Sequence, residues 1–198
     1  MNLTYRYSTG DNLFFTSDTH FWHSKIIEYA NRPFQSVEEM NETLIRNWNE
    51  TVPEDGIIFH LGDFCFGGNA EWWSILPRLN GKILLIMGNH DMRNAQEEFM
   101  RCFGYVTQQM TISVDGQTIV LNHNPFLCFG GAYRGVWQLF GHVHSGPRSL
   151  GNGKDEGRLV HLFPTQYDVG VDNNEFKPIS FAAVKKKSRL KYHTNGSP

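Results

Sequence analysis

Ile83-Leu84-Leu85-Ile86-Met87-Gly88-Asn89-His90-Asp91 is the stretch from which the fold can be read. Five apolar residues are too few for a helix, and they stop abruptly at a glycine and three polar side chains. An Ile-rich run of that length, closed by turn formers, reads as a buried strand. Two runs nearer the N-terminus end the same way: Leu13-Phe14-Phe15 runs into Ser17-Asp18, and Ile57-Ile58-Phe59 leads to Leu61-Gly62-Asp63. Helical patterns lie between them. Residues 37–50 put Met40, Leu44, Ile45 and Trp48 on one stripe, and Ser36 followed by Glu39 forms a capping box. Residues 70–79, interrupted by Pro77, and 95–103 are shorter helix candidates. Strands alternating with helices predict an α/β fold whose first sheet is largely parallel.

The second half of the chain has another texture. Residues 110–114 and 118–121 flank Asp115-Gly116, which reads as a β-hairpin with a tight turn. Further strands are expected at 136–140, 159–163 and 179–184, and residues 151–157 form a polar loop. Two packed mixed β-sheets flanked by helices accommodate both halves. The expected organisation is one domain over 1–184 and a basic, then polar, C-terminal tail over 185–198 that frays.

The bulk numbers exclude several classes. A hydrophobic share of 40% against 19% charged residues belongs to a globular chain, not a disordered one. No run approaches the roughly 20 apolar residues of a membrane span, and Met1 to Gly10 lacks the pattern of a secretory leader. The cytoplasm is the default compartment. A net charge of -2 gives no global attraction to nucleic acid or anionic lipid, so a phosphate-bearing ligand needs local positive charge, which metal ions can supply. Cys65, Cys102 and Cys128 are scattered and odd in number, which suits buried small hydrophobes rather than a disulfide framework or a zinc knuckle.

Chemistry gathers at the ends of the apolar runs: Asp18-Thr19-His20, Gly62-Asp63, Gly88-Asn89-His90-Asp91, Asn122-His123 and Gly141-His142-Val143-His144. Loops at the carboxyl ends of parallel strands face a common crevice, so ligands remote in sequence can converge there. Asp18 and His20, and likewise His142 and His144, are two residues apart. In extended backbone, residues so spaced project to the same side and can grip from one direction. Imidazole, carboxylate and amide oxygen together suit Mn²⁺, Fe²⁺, Co²⁺, Ni²⁺ or Zn²⁺ better than Ca²⁺ or Mg²⁺. The donors outnumber what one ion takes. Two ions about 3.5–4 Å apart would clamp a phosphoryl group and activate a bridging hydroxide for attack on it.

These stations, in this order, resemble those of the calcineurin-like metallophosphoesterase superfamily: D-x-H, G-D, G-N-H-D, a lone His after a strand, and G-H-x-H. The match runs from Leu13 to about Ser145. Beyond it, Asp168-Val169-Gly170-Val171-Asp172 and Pro178-Ile179-Ser180-Phe181 are similar to small prokaryotic and phage-type members, as are Asp18-Thr19-His20-Phe21-Trp22-His23 and Arg32-Pro33-Phe34. The resemblance implies that Asp18, His20 and His144 hold one divalent ion, that Asn89, His123 and His142 hold a second, and that Asp63 bridges them. It implies that His90 is not a ligand but protonates or stabilises the leaving oxygen, with Asp91 as an orienting partner. Gly62-Asp63-Phe64-Cys65-Phe66-Gly67-Gly68 lacks the Arg of the protein Ser/Thr phosphatases, so phosphoproteins are disfavoured.

The expected activity is metal-dependent hydrolysis of a small phosphate ester, a diester or a small nucleotide. A metal-binding scaffold without turnover, or a nuclease acting on single strands, is the alternative; nucleic acid is not favoured, because the motif loops carry few Lys or Arg. No sequence feature fixes the oligomeric state, and a homodimer is compatible with it. His60 reads as a packing residue on its strand. His23 reads equally as a pocket residue or a helix cap, and Arg32 equally as a phosphate clamp or a tie for the loop before Pro33. Trp72-Trp73 reads as core or subunit contact, and residues 126–133 as a pocket rim or a packed surface loop.

Overall fold

The computed structural model describes residues 4–8, 12–94, 97–148 and 159–194. Strands β2 (Leu13–Thr16), β3 (Ile57–His60), β4 (Lys82–Ile86) and β5 (Tyr105–Thr107) pair in parallel, and β10 (Ile179–Ser180) adds an antiparallel edge beside β2. The second sheet has the order β1 (Thr4–Tyr7), β6 (Gln109–Val114), β7 (Gln117–Asn122), β8 (Trp137–Phe140), β9 (Gln166–Asp168). Within it, β6 and β7 form the antiparallel hairpin, while β7, β8 and β9 run parallel. Asp115 and Gly116 turn the hairpin with φ of 47° and 85°, the left-handed pair that matches strand twist.

Alternation along the central strands divides the core in two. Phe15, Phe59, Leu84 and Ile86 face the second sheet and pack on Met110, Ile112, Ile119, Leu121 and Leu139. Ile58, Ile83 and Leu85 face the other way, onto helices α2 (Val37–Thr51) and α3 (Asn69–Ile75) through Met40, Leu44, Trp48 and Trp72. Strands buried on both faces lose the period-two signal and read as continuous apolar runs. Ser36 accepts from the Glu39 amide, and the Glu39 carboxylate accepts from the Gln35 amide, so the expected helix start is present. Trp72 is buried and stacked on Phe99, whereas Trp73 is exposed on the same helix.

Several expectations are corrected. Residues 159–163 form turns rather than a strand, and the edge strand begins only at Gln166. Residues 179–184 are a strand for two residues, after which helix α6 (Phe181–Thr194) runs past Lys185, where the tail was expected to start. Of the helix expected over 95–103, the described residues 97–103 contain the short helix α5 (Glu97–Met100), and α4 (Asp91–Asn94) precedes it. Pro77 ends α3 in a single 3₁₀ turn. Helix α1 (Ser24–Tyr29) starts at His23, whose side chain makes no capping bond. Of the three free cysteines only Cys65 is buried. The loop expected at 151–157 lies outside the described residues. No helix among the described residues is long and apolar enough to cross a membrane.

Candidate metal centre

Both sheets deliver the carboxyl ends of parallel strands to one place. The amide of Asp18, after β2, donates to Gly62 O after β3, and the His20 amide donates to Asp63 O. From the second sheet, the His142 amide donates to Asp18 Oδ2 at 2.9 Å, and His123 Nδ1 lies 2.8 Å from Leu61 O. Strand ends as far apart as Asp18 and His142 are thus tied together, within the first sheet by main-chain bonds and between the sheets by bonds from side chain to main chain.

Two groups of donors result. Ligand atoms of Asp18, His20 and His144 lie within 4.8 Å of one another, and so do those of Asp63, His123 and His142. Asp63 Oδ2 stands between the groups, 3.6 Å from His20 Nε2 and 3.4 Å from His123 Nε2. Asn89 Oδ1 is 3.2 Å from His123 Nε2, and His142 Nδ1 is equally close to that same nitrogen. The left-handed backbone at Asp18, His20, Asp63, His142 and His144, with φ from 47° to 72°, corrects the expectation that extended geometry aims the paired residues. These five side chains converge because each sits in a tight bend, not because a strand continues.

These residues fit a pair of cations on chemical grounds. Asp18 Oδ1 and His20 Nε2 are buried and make no hydrogen bond, although burying an unpaired polar atom costs about 1–3 kcal/mol. Both face the same gap, with His20 Nε2 and His144 Nε2 each 3.9 Å from Asp18 Oδ1. Bonds of about 2.0–2.2 Å to one ion would bring such donors to roughly this separation. Burial, with the neighbouring His144 and Arg32, holds the His20 imidazole well below its ordinary range, so it is neutral and able to ligate.

Behind the donors lies a second layer. His144 Nδ1 is 2.8 Å from Asp172 Oδ2, which leaves Nε2 facing the gap. Asp172 is held in turn by Arg32, whose Nε and Nη2 donate to its two oxygens at 2.9 and 2.8 Å. Arg32 also donates to the carbonyls of Asp18 and Thr19, so it ties the loop and does not reach into the cavity. Burial alone would raise the Asp172 carboxyl; the adjacent Arg32 charge overrides that and holds it at about 2. His123 sits at about 9: burial opposes its charge, and its bond to Asp63 prevails.

Asp91, expected as an orienting partner of His90, is fully buried. Its carboxylate accepts three backbone N–H groups, from Asp63, Phe64 and Gly88, and so locks the turns after β3 and β4 together. Burial raises it to about 6 despite those bonds. At Gly88 the chain passes so close to Asp63 that any β-carbon would meet its carboxylate, which is why glycine precedes Asn89. His90 itself is partly exposed, with its amide bonded to Asp63 Oδ1 and its Nε2 3.9 Å from Asp63 Oδ2.

Around His90 lie His23, stacked on Phe66 at 4.3 Å, and a cavity of about 360 Å³ lined by His20, Asp63, Asn89, His142, His144 and Lys25. His23 Nδ1 is 3.1 Å from His20 Nδ1, so His23 steadies a ligand rather than a helix. His60 is buried between Thr19 Oγ1 and the Gly62 amide, a packing role. Sequence reasoning assigned no function to Asp172, although the motif containing it stood out; a carboxylate 28 residues beyond His144 carries no local sign of which histidine it will meet.

The family model for calcineurin-like phosphoesterases matches residues 12–152. An uncharacterized protein of Methanocaldococcus jannaschii is 35% identical over 176 residues, which cover 88% of this chain and 89% of the relative. The gene 66 protein of Mycobacterium phage L5 is 36% identical, with 81% of this chain and 86% of its own length aligned. Among solved structures, a protein of unknown function from Aquifex aeolicus superposes with a TM-score of 0.67 at 23% identity, over 88% of this chain and 97% of that one. That last likeness concerns the fold.

Proposed function

This chain belongs to the calcineurin-like phosphoesterase family, and from that premise we propose that it is a dinuclear metal-dependent hydrolase of phosphate esters, acting on phosphodiesters or small nucleotides. The observation that carries the reading is Asp63 Oδ2, one carboxylate oxygen placed between two separate donor groups. Asp18, His20 and His144 would hold one divalent ion, Asn89, His123 and His142 the other, with Asp63 shared. Mn²⁺, Fe²⁺, Co²⁺, Ni²⁺ and Zn²⁺ all suit this donor chemistry. Bound there, two such ions supply Lewis acidity toward the phosphoryl oxygens and lower the pKa of water to make the nucleophile.

The residues of the chain do the rest. His90 projects into the cavity beside Asp63 without joining either donor group, which suits a proton donor to the departing oxygen. Water oxygen joins phosphorus, the bond from phosphorus to the leaving arm breaks, and the His90 proton goes to the leaving oxygen. The retained arm departs as a phosphomonoester. Asp172 and Leu61 O hold the far nitrogens of His144 and His123, keeping both rings aimed.

The test is hydrolysis of bis-p-nitrophenyl phosphate with Mn²⁺ or Ni²⁺. Asp63→Ala should abolish turnover, and His90→Asn should lower it by about 10²–10⁴-fold while both ions still bind. Full turnover by verified metal-free protein would overturn the proposal. The reading as a metal-binding scaffold without turnover predicts the opposite pattern, metal uptake with no hydrolysis of any ester.

A further inference from the structure

Beside the cavity that His90 lines there is a second, larger one of about 510 Å³. Pro125, Leu127, Val143, Leu159 and Leu162 make its apolar wall, Asn124 and His161 are polar edges, and His142 lines both cavities. Two of these residues directly follow donors of the metal centre: Asn124 follows His123, and Val143 lies between His142 and His144. The cleft therefore opens from the centre itself and is not a remote depression. Its volume falls within the roughly 300–1,000 Å³ of small-ligand sites, and an apolar wall with a few polar groups is the usual composition of such sites. Leu127 is 67% exposed at its mouth, an apolar side chain held in water beside a charged centre.

A phosphomonoester has one organic arm and needs one cavity; a diester has two. His90, the candidate proton donor to the leaving oxygen, lines only the smaller cavity, so the leaving arm belongs there, near His23 and Phe66. The retained arm then falls on the other side of His142. We infer that the Leu127–Leu162 cleft is the subsite for the retained arm of a phosphodiester, and that this arm is aromatic. The apolar wall accepts a flat ring by area, His161 adds an imidazole to the lining against which a ring can pack, and Asn124 at the edge offers an amide to a ring heteroatom. This rests on the phosphoesterase reading above and adds the side of the centre, the residues and the chemical class of the arm.

The experiment holds the leaving group fixed and varies the other arm: phenyl p-nitrophenyl phosphate against methyl p-nitrophenyl phosphate, with Mn²⁺-loaded protein. The kcat/KM ratio should favour the phenyl ester by at least about tenfold, as expected from the apolar area of one ring. In Leu127→Asp and Leu162→Asn the ratio should fall toward one; each ratio is internal to its variant, so partial unfolding cancels. A ratio near one in the unaltered protein, or a ratio unchanged in both variants, overturns the inference and leaves the phosphoesterase reading standing. Binding of phenyl phosphate and methyl phosphate to the Mn²⁺-loaded protein, followed by calorimetry, gives the same comparison without turnover. Absence of hydrolysis of every ester would sink the phosphoesterase reading, while equal binding of the two monoesters would still sink the subsite.

Discussion

The Arg32–Asp172–His144 chain makes a sharp prediction about Asp172→Asn. Asp172 is almost fully buried and its two oxygens take three bonds, two from Arg32 and one from His144 Nδ1. Asn has one oxygen, and both Asp172 oxygens accept from Arg32, so its NH₂ meets the guanidinium donor against donor in either orientation and, at the Oδ2 position, faces His144 as well. If it faces His144, the ring must accept at Nδ1 and carry its proton on Nε2, the nitrogen that would ligate. Removing one partner of a buried ion pair costs about 3–5 kcal/mol. The low end applies here, because the Asp18 and Thr19 carbonyls still accept from Arg32. For a chain of this size, about 3 kcal/mol lowers Tm by roughly 6–12 °C. Loss of an outer partner also weakens metal binding, by about 10–100-fold, and this loss should fall on one ion of the pair. Scanning calorimetry of the metal-free protein gives the first quantity, and Mn²⁺ titration calorimetry gives the second. Arg32→Met is the contrast: it removes the charge pair but keeps the Asp172 acceptor for His144, so it should lose comparable stability and less affinity. If Asp172→Asn takes up both ions as the unaltered protein does, or if Arg32→Met weakens binding just as much, the Nδ1 bond is not what aims His144.

Three further outcomes follow from groups behind the centre. Burial holds His60 at about 3, below its ordinary 6.5, so its contribution to stability is complete above pH 6.5 and is lost as pH falls toward 3. That is on the order of 5 kcal/mol across the interval, and His60→Phe should flatten the acid limb of a stability profile measured in chelator, whereas an unchanged limb would refute the assignment. His123, at about 9 in the ion-free protein, must give up a proton to ligate; Mn²⁺ titrations at pH 7 in buffers of different ionisation enthalpy should show about one proton released that His123→Gln removes, and that disappears above pH 9. Gly88→Ala would push a methyl group into the Asp63 carboxylate, so the folded variant should bind neither ion tightly; normal two-ion uptake would show that Asp63 is not fixed where the structure has it.

The five stations were legible because a buried parallel strand has no choice of face, and its end must carry whatever the crevice needs. Asp18, Asp63, Asn89, His123, His142 and His144 can be read this way one loop at a time. What escaped reading depends on contacts between loops. Residues 159–163 have the composition of a strand, yet Pro164 lacks an N–H, and the Phe163 amide is taken by the Gln166 side chain. Gln166 itself looks unlike a core strand residue; it is buried because its amide bonds the Gln138 side chain and Phe126 O. The basic run after residue 184 reads as solvated, but Ser180 Oγ accepts from the Ala183 amide and starts a helix, and Lys187 lies over the Tyr167 ring. Asp172 and Arg32 are 140 residues apart, and only the fold makes them partners.

The left-handed backbone at the ligands explains why those contacts between loops matter so much. A non-glycine residue in that region costs roughly 1–2 kcal/mol, less for Asp, which visits it more readily. Five such residues, Asp18, His20, Asp63, His142 and His144, together approach the net stability of an ordinary domain. A chain could not hold them there by local preference; the bonds from Asp18 N to Gly62 O, from His20 N to Asp63 O and from His142 N to Asp18 Oδ2 must over-determine each bend. The strain is therefore met by the scaffold, and the donors are already turned inward in the ion-free structure. That ordering also accounts for the orphaned Asp18 Oδ1 and His20 Nε2.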